Sequence, residues 1–237
     1  MSEMQVRPLR PHPVPGLLEG GGVDDMGSGS QPAPPNAGLT RLLARTALGY
    51  HSAAMPADAL MVAKQCILDW FAVALPGARE DSAVLLVDEL ESDGGGPCTV
   101  IGRRCRLSAR DAALANGVAS HALDFDDVNR TMQGHPTVAT FPAALAVSEA
   151  GGKSGRDLLT AYIAGYEIAC IVGAQMAPSH YGMGFHATGT IGAIGATVAA
   201  GLLLELDETQ MAHAIGLAAT QSAGLKAMFG SMAKPLH

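Results

Sequence analysis

A chain of 237 residues, 48% of them hydrophobic, can bury a sizeable core as one large domain or two small ones. Its net charge of −7 argues against nucleic acid, which is met by a basic surface, and leaves any anionic ligand dependent on local cations or helix N-termini. Aromatic residues are only 4%, and Ala and Gly carry much of the apolar count, which points to closely packed helices rather than strands.

Residues 1–37 read as a disordered leader. RPLRPHPVPG and GGGVDDMGSGSQPAPP are rich in Pro, Gly and Ser and have no apolar period. The leader lacks the apolar core of a signal peptide, and Glu3, Glu19, Asp24 and Asp25 speak against a transit peptide. Cys66, Cys98, Cys105 and Cys170 show no CxxC spacing, so reduced thiols in the cytoplasm are expected.

From residue 38 the pattern predicts one continuous, all-α domain reaching residue 237. PADALMVAKQCILDWFAVAL is a helix opened by Pro56 at its first position and stopped at Pro76-Gly77. DSAVLLVDELES predicts a second helix. The glycine-punctuated, β-prone stretch from 97 to 107 predicts a short hairpin. Three capping boxes follow: Ser108 with Asp111, Ser154 with Asp157, and Asp207 with Gln210. They open helices over roughly 109–122, 155–175 and 208–219. TVATFPAALAVSEA is a further helix ending at Gly151-Gly152. Residues 187–204, ATGTIGAIGATVAAGLLL, carry no charge. Their glycines and threonines, and the lack of flanking Lys or Arg, favour a buried central helix over a membrane span, with Thr188 or Thr190 helping to cap it.

Chemistry concentrates in HALDFDDVNRTMQGHPTV, residues 121–138. His121 and Asp124 are three apart and share a side if the preceding helix runs on. Carboxylates crowded together raise one another's pKa, which suits one of them to proton transfer. Asp126 and Asp127 read as supports of the turn. Pro136 suits a first helical turn, which sets His135 at a helix N-terminus. Imidazole and carboxylate here suit a metal chemically, but the spacing matches neither HExxH nor an EF-hand, so no metal is assigned. His180 and His186 lie among glycines in SHYGMGFHATGT, just before the long apolar helix. Lys234, one of few lysines, stands in GSMAKPLH and can hold a carboxylate as a point charge. There is no GxGxxG after a strand, no P-loop and no GxSxG, so no cofactor motif is present.

DAALANGVASHALDFDDV, the later GHPTV, GFHATGTIGA and KPLH together resemble the signature blocks of the MmgE/PrpD family, whose members include 2-methylcitrate dehydratase, cis-aconitate decarboxylase and iminodisuccinate epimerase. The resemblance runs from about residue 38 to the end. It implies a large helical domain plus a smaller lid inserted beyond KPLH, with the lid expected to be absent from a chain that stops there. It implies that Asp124, His135, His186 and Lys234 line the helical side of a cleft, and that members act on small di- and tricarboxylates as homodimers without metal or organic cofactor. The expected activity is therefore a cofactor-independent lyase. His186, Asp124 and His135 would be catalytic, and Lys234, His135 and His237 would hold the substrate. The rivals are an isomerase or epimerase of a dicarboxylate, and a truncated, non-catalytic helical dimerisation module. Two departures touch substrate choice: Val128 stands where some members have Thr, and VNRTMQG separates DFDD from His135.

Overall fold

The computed structural model describes residues 38–52, 55–176 and 179–237. The leader expected over 1–37 lies outside the described residues. The described chain is all-α apart from one small hairpin. In order, the helices are α1 (Leu39–Ser52), α2 (Ala57–Gly77), α3 (Asp81–Ser92), α4 (Ala109–His121), α5 (Pro136–Gly151), α6 (Gly155–Met176), the single turn α7 (Ser179–Gly182), α8 (Ala187–Leu203) and α9 (Glu208–Gln221). Short 3-10 turns follow at Lys226–Met228 and Lys234–Leu236.

Helix α8 is the centre. It packs against α5 and α6 on its flanks and meets α9 beyond them. Helix α4 covers the outer side of α5, α2 covers α4, and α1 pairs with α9. The α6–α8 crossing is close because both helices put glycine at it. A Cβ on Gly165 would stand 2.5 Å from the Gly195 carbonyl oxygen, and one on Gly195 would stand 2.8 Å from that of Gly165. Around this crossing lies the main core, in which Trp70, Phe141 and Tyr162 form a chain of edge-to-face rings.

The expected ends hold closely. Asp207 and Gln210 form a full capping box, with Gln210 N donating to Asp207 Oδ1 at 2.9 Å and Asp207 N to Gln210 Oε1 at 3.0 Å. Ser154 and Asp157 do the same. At Ser108 only half the box forms, because the Asp111 carboxylate accepts from the Ser108 hydroxyl instead of from its backbone N–H. Gly152 closes α5 in the left-handed conformation, with φ 60°.

One expectation needs correction. Pro56 caps α2 from outside, and the helix starts at Ala57. At the other end α2 stops at Pro76-Gly77 as expected, with Pro76 inside the last turn, where a proline forfeits only one hydrogen bond. The glycine there answers a packing need: its Cα lies against the Ala119 carbonyl of α4, where no side chain fits. The hairpin is real but short, Cys98–Thr99 (β1) against Arg106–Leu107 (β2). Asn116 of α4 ties it down by accepting from Ile101 N and donating to Thr99 O, both at 2.8 Å. By length and composition α2 and α6 are apolar enough to cross a membrane; within the fold both lay one face on the bundle.

Candidate active site

Four segments converge on one wall of the domain. Helix α4 ends at His121. The chain then turns through Asp124 at φ 58°, an unusual conformation for a side chain with a Cβ. That turn sends Phe125 outward, 73% exposed, and Asp126 inward, 5% exposed. Residues 128–134 form a tight loop, after which His135 leads into α5 with Pro136 at its first position. The N-cap of α8 is His186. The final 3-10 turn delivers Lys234 from the far end of the chain.

Asp126 is the pivot. Its Oδ2 lies 2.9 Å from Nδ1 of His121 and 2.9 Å from Nδ1 of His135. The His121 contact is a well-formed hydrogen bond, while the His135 contact is one of charge without hydrogen-bond alignment. Burial would raise the Asp126 carboxyl, but the two imidazoles outweigh it and hold the acid well below the usual range. The carboxylate acts in return on His135. Burial would lower that imidazole, yet Asp126 and then Asp124 leave it raised, so the ring favours its charged form. His121 goes the other way, lowered because burial wins over Asp126.

Lys234 is 7% exposed. Its ammonium donates to Asp124 Oδ1 at 2.5 Å and to the His121 carbonyl at 3.4 Å, and stands 3.2 Å from His121 Nδ1. An ionised Asp126 requires a proton on that Nδ1, so the nitrogen donates to Asp126 and accepts nothing from Lys234. One ammonium N–H is thus left uncommitted, and His121 Nε2 is a buried acceptor without a partner. Burial would raise Asp124, but Lys234 outweighs it and holds the acid low.

His186 stacks on His121 with centroids 5.5 Å apart and planes 9° from parallel, and its Nδ1 lies 3.1 Å from His237 Nδ1. Burial, followed by the neighbouring His121 and Lys234, lowers its pKa to about 3, so at neutral pH the ring is an uncharged proton acceptor. A cleft of about 580 Å³ opens over these groups. Asp124, His135, His186 and Lys234 line it together with Arg130, Tyr181 and Phe229. That volume lies within the range of small-molecule pockets.

All five sequence-nominated residues, Asp124, His135, His186, Lys234 and His237, therefore meet in one place. The sequence reading misplaced others. Asp126 is no mere support of the turn, since it bridges two imidazoles. His121, missing from the nominated set, touches Asp126, Lys234 and His186. The signal was available: a histidine five residues before Asp126, at the last position of a helix. Asp127 does support the fold, accepting from Thr137 N and Thr137 Oγ1 at the start of α5. It is also the one acid of the three that is raised, to about 6, by burial first and Asp126 second. Neither threonine caps α8: Thr188 Oγ1 accepts from His135 N at 3.0 Å, and Thr190 Oγ1 donates to the His186 carbonyl. His180 is structural, bonded to Thr190 Oγ1 at 2.7 Å and stacked on Phe185. The side chains of His121, Asp124, Asp126 and His135 offer ligand atoms within 4.8 Å of one another, the one such cluster among the described residues. The Lys234 ammonium already takes the place of a cation against it, and a metal ion would meet that charge.

Fold and site together define a helical domain that sets a buried ammonium, two imidazoles of opposite charge preference and paired carboxylates along an open cleft. The model of the MmgE/PrpD N-terminal domain matches residues 41–237, and the chain belongs to the MmgE/PrpD family. It is 32% identical over 214 residues to cis-aconitate decarboxylase of Aspergillus terreus, covering 86% of this chain and 44% of that protein. Over 188 residues it is 32% identical to the cis-aconitate decarboxylase-like protein oryM of Aspergillus oryzae, covering 73% and 38% respectively. It is 32% identical over 137 residues to human cis-aconitate decarboxylase, covering 56% and 28%. The chain thus spans less than half the length of these relatives.

Proposed function

We propose that this cleft belongs to a cofactor-independent lyase that removes CO2 or water from a small di- or tricarboxylate such as cis-aconitate or 2-methylcitrate. The observation that carries the reading is the meeting, on one wall, of the buried Lys234 ammonium, the His135 imidazole set between Asp124 and Asp126, and the His186 ring that burial keeps uncharged. Lys234, through its uncommitted N–H, and His135 hold substrate carboxylates, with His237 beside them. In dehydration, His186 takes the proton next to the carboxylate, and the departing hydroxide leaves with a proton from His135. In decarboxylation, the C–C bond to CO2 breaks, its electron pair is left on the substrate carbon, and His135 donates the proton that carbon takes up. Asp124 tunes the charge of Lys234 and His135. The decarboxylase relatives favour CO2 loss among these outcomes. The same reading places the protein in the cytoplasm as a homodimer; the exposed stripe Met61, Leu68 and Leu75 on α2 supplies an apolar face for a second copy.

The test is product analysis by NMR with the full-length gene product and each acid. Loss of CO2 or water supports the reading. An unchanged formula makes the protein an isomerase, and no turnover of either acid overturns the proposal. His186→Ala is expected to lower turnover by about 10²–10⁴.

A further inference from the structure

The basic groups of the inner wall already face carboxylates. Lys234 faces Asp124 at 2.5 Å, and His135 faces Asp126 at 2.9 Å. A polycarboxylate entering the cleft meets basic groups that each already face an acid. One further cation lines the cleft: Arg130. Among the described residues it has no carboxylate partner, and its side chain is exposed.

The backbone of the loop that carries Arg130 is anchored on both sides. Asn129 and Gly134 pair across the loop, with Asn129 N donating to the Gly134 carbonyl at 2.9 Å. The buried Asn129 Oδ1 accepts from Thr131 N at 2.9 Å and Met132 N at 3.0 Å. Met132 is fully buried and lies on Gly173 of α6, where a Cβ would stand 2.6 Å from the Met132 Cα. Gly134 backs onto Thr188, with room for no side chain. Arg130 and Thr131 are therefore the exposed tip of a loop anchored on both sides. The anchored backbone fixes where the Arg130 side chain leaves the loop, at the edge of the cleft, and its planar guanidinium fork matches a carboxylate bidentately.

We infer that Arg130 is the outer carboxylate-binding residue of this cleft and sets its preference for substrates carrying an additional carboxylate. The inference rests on the polycarboxylate reading given above. It adds a residue from the segment in which this chain departs from the family blocks.

Calorimetric titration of the full-length protein with propane-1,2,3-tricarboxylate and with pentanedioate tests it. Arg130→Ala is expected to raise the Kd for the tricarboxylate about 10- to 100-fold, the range of one charged hydrogen-bonding contact. The dicarboxylate Kd should move by less than about fivefold, and Arg130→Lys should restore part of the loss. Arg130 is exposed, so the variant's melting curve should match the wild type. If Arg130→Ala binds the tricarboxylate as the wild type does, or loses both ligands equally, the role of Arg130 is overturned and the polycarboxylate reading stands. If the wild type binds neither acid, that reading falls and this inference falls with it.

Discussion

The ammonium of Lys234 lies 2.5 Å from Asp124 Oδ1 across 110 residues of sequence, and the two partners differ sharply in exposure. The lysine is 7% exposed, while the Asp124 side chain is 62% exposed. Water screens such a pair, so it contributes at most about 1 kcal/mol to the fold. Its importance is positional, since the lysine is fixed by burial and the acid is free to turn toward solvent.

Lys234→Met separates these roles. The thioether fills the lysine's space, and the Asp124 carboxylate left behind is exposed enough to be hydrated, so no buried charge is stranded. The denaturation midpoint should hold or rise. Binding of a tricarboxylate should fall by about tenfold or more, as one charged contact is lost. Retained affinity in Lys234→Met would remove the lysine from the substrate-binding set.

Asp126→Asn addresses the protonation of His135. The folded protein holds this proton above the ordinary imidazole value, so its stabilising effect is complete below 6.5 and is lost as pH rises through the raised value. Asp126 has the opposite sign: its depressed value stabilises the fold above 3.8 and stops doing so as pH falls through it. An amide in its place removes the charge that outweighs burial. His135 should then titrate at lower pH, and the limb of the pH–rate profile set by a protonated His135 should move to lower pH with it. Histidine resonances followed by NMR give the shift directly; an unmoved His135 titration would show that Asp126 does not govern it.

Much of this was legible in the sequence, for reasons that differ by residue. Caps are local, so Ser154 and Asp207 marked helix starts to within a residue or two. Lys234 stood out as a rare lysine in an apolar stretch. What local pattern could not supply was side-chain direction in a loop. The positive φ of Asp124 reverses the chain, turning Asp126 inward and making it the bridge between His121 and His135. Nor did spacing reveal that Thr188, placed like a cap, bonds His135 from 53 residues away.

Asp127 carries a destabilising charge. It sits beneath the cleft with its carboxylate on Thr137, whose hydroxyl also meets Tyr162 at 2.7 Å. Its pKa of about 6 exceeds the unfolded value of 3.8, so the folded state binds more protons in that window and stability falls as pH rises through it. The full effect is on the order of 3 kcal/mol above pH 6. Asp127→Asn keeps an acceptor for Thr137 N and removes the charge. Thermal melts should show the variant gaining on the wild type at pH 8 and losing that advantage at pH 4. An advantage equal at both pH values would assign it to packing instead.

Gly165→Ala probes the crossing on which the site is mounted. The new methyl would meet the Gly195 carbonyl oxygen at 2.5 Å and Thr140 Cγ2 at 2.7 Å, both on helices that cannot yield separately. In a monomeric helix alanine is favoured over glycine by about 1 kcal/mol, so propensity alone predicts stabilisation. Overpacking of a closed contact costs about 1–3 kcal/mol and works against that gain. The contact is backbone to backbone, so the clash should win, and the denaturation midpoint should fall. Because α6 also carries Gly173 under Met132, a shift of α6 should reach the 128–134 loop and weaken tricarboxylate binding in the same variant. A midpoint that rises would mean the two helices part without cost, and the glycines at 165 and 195 would then have no packing role.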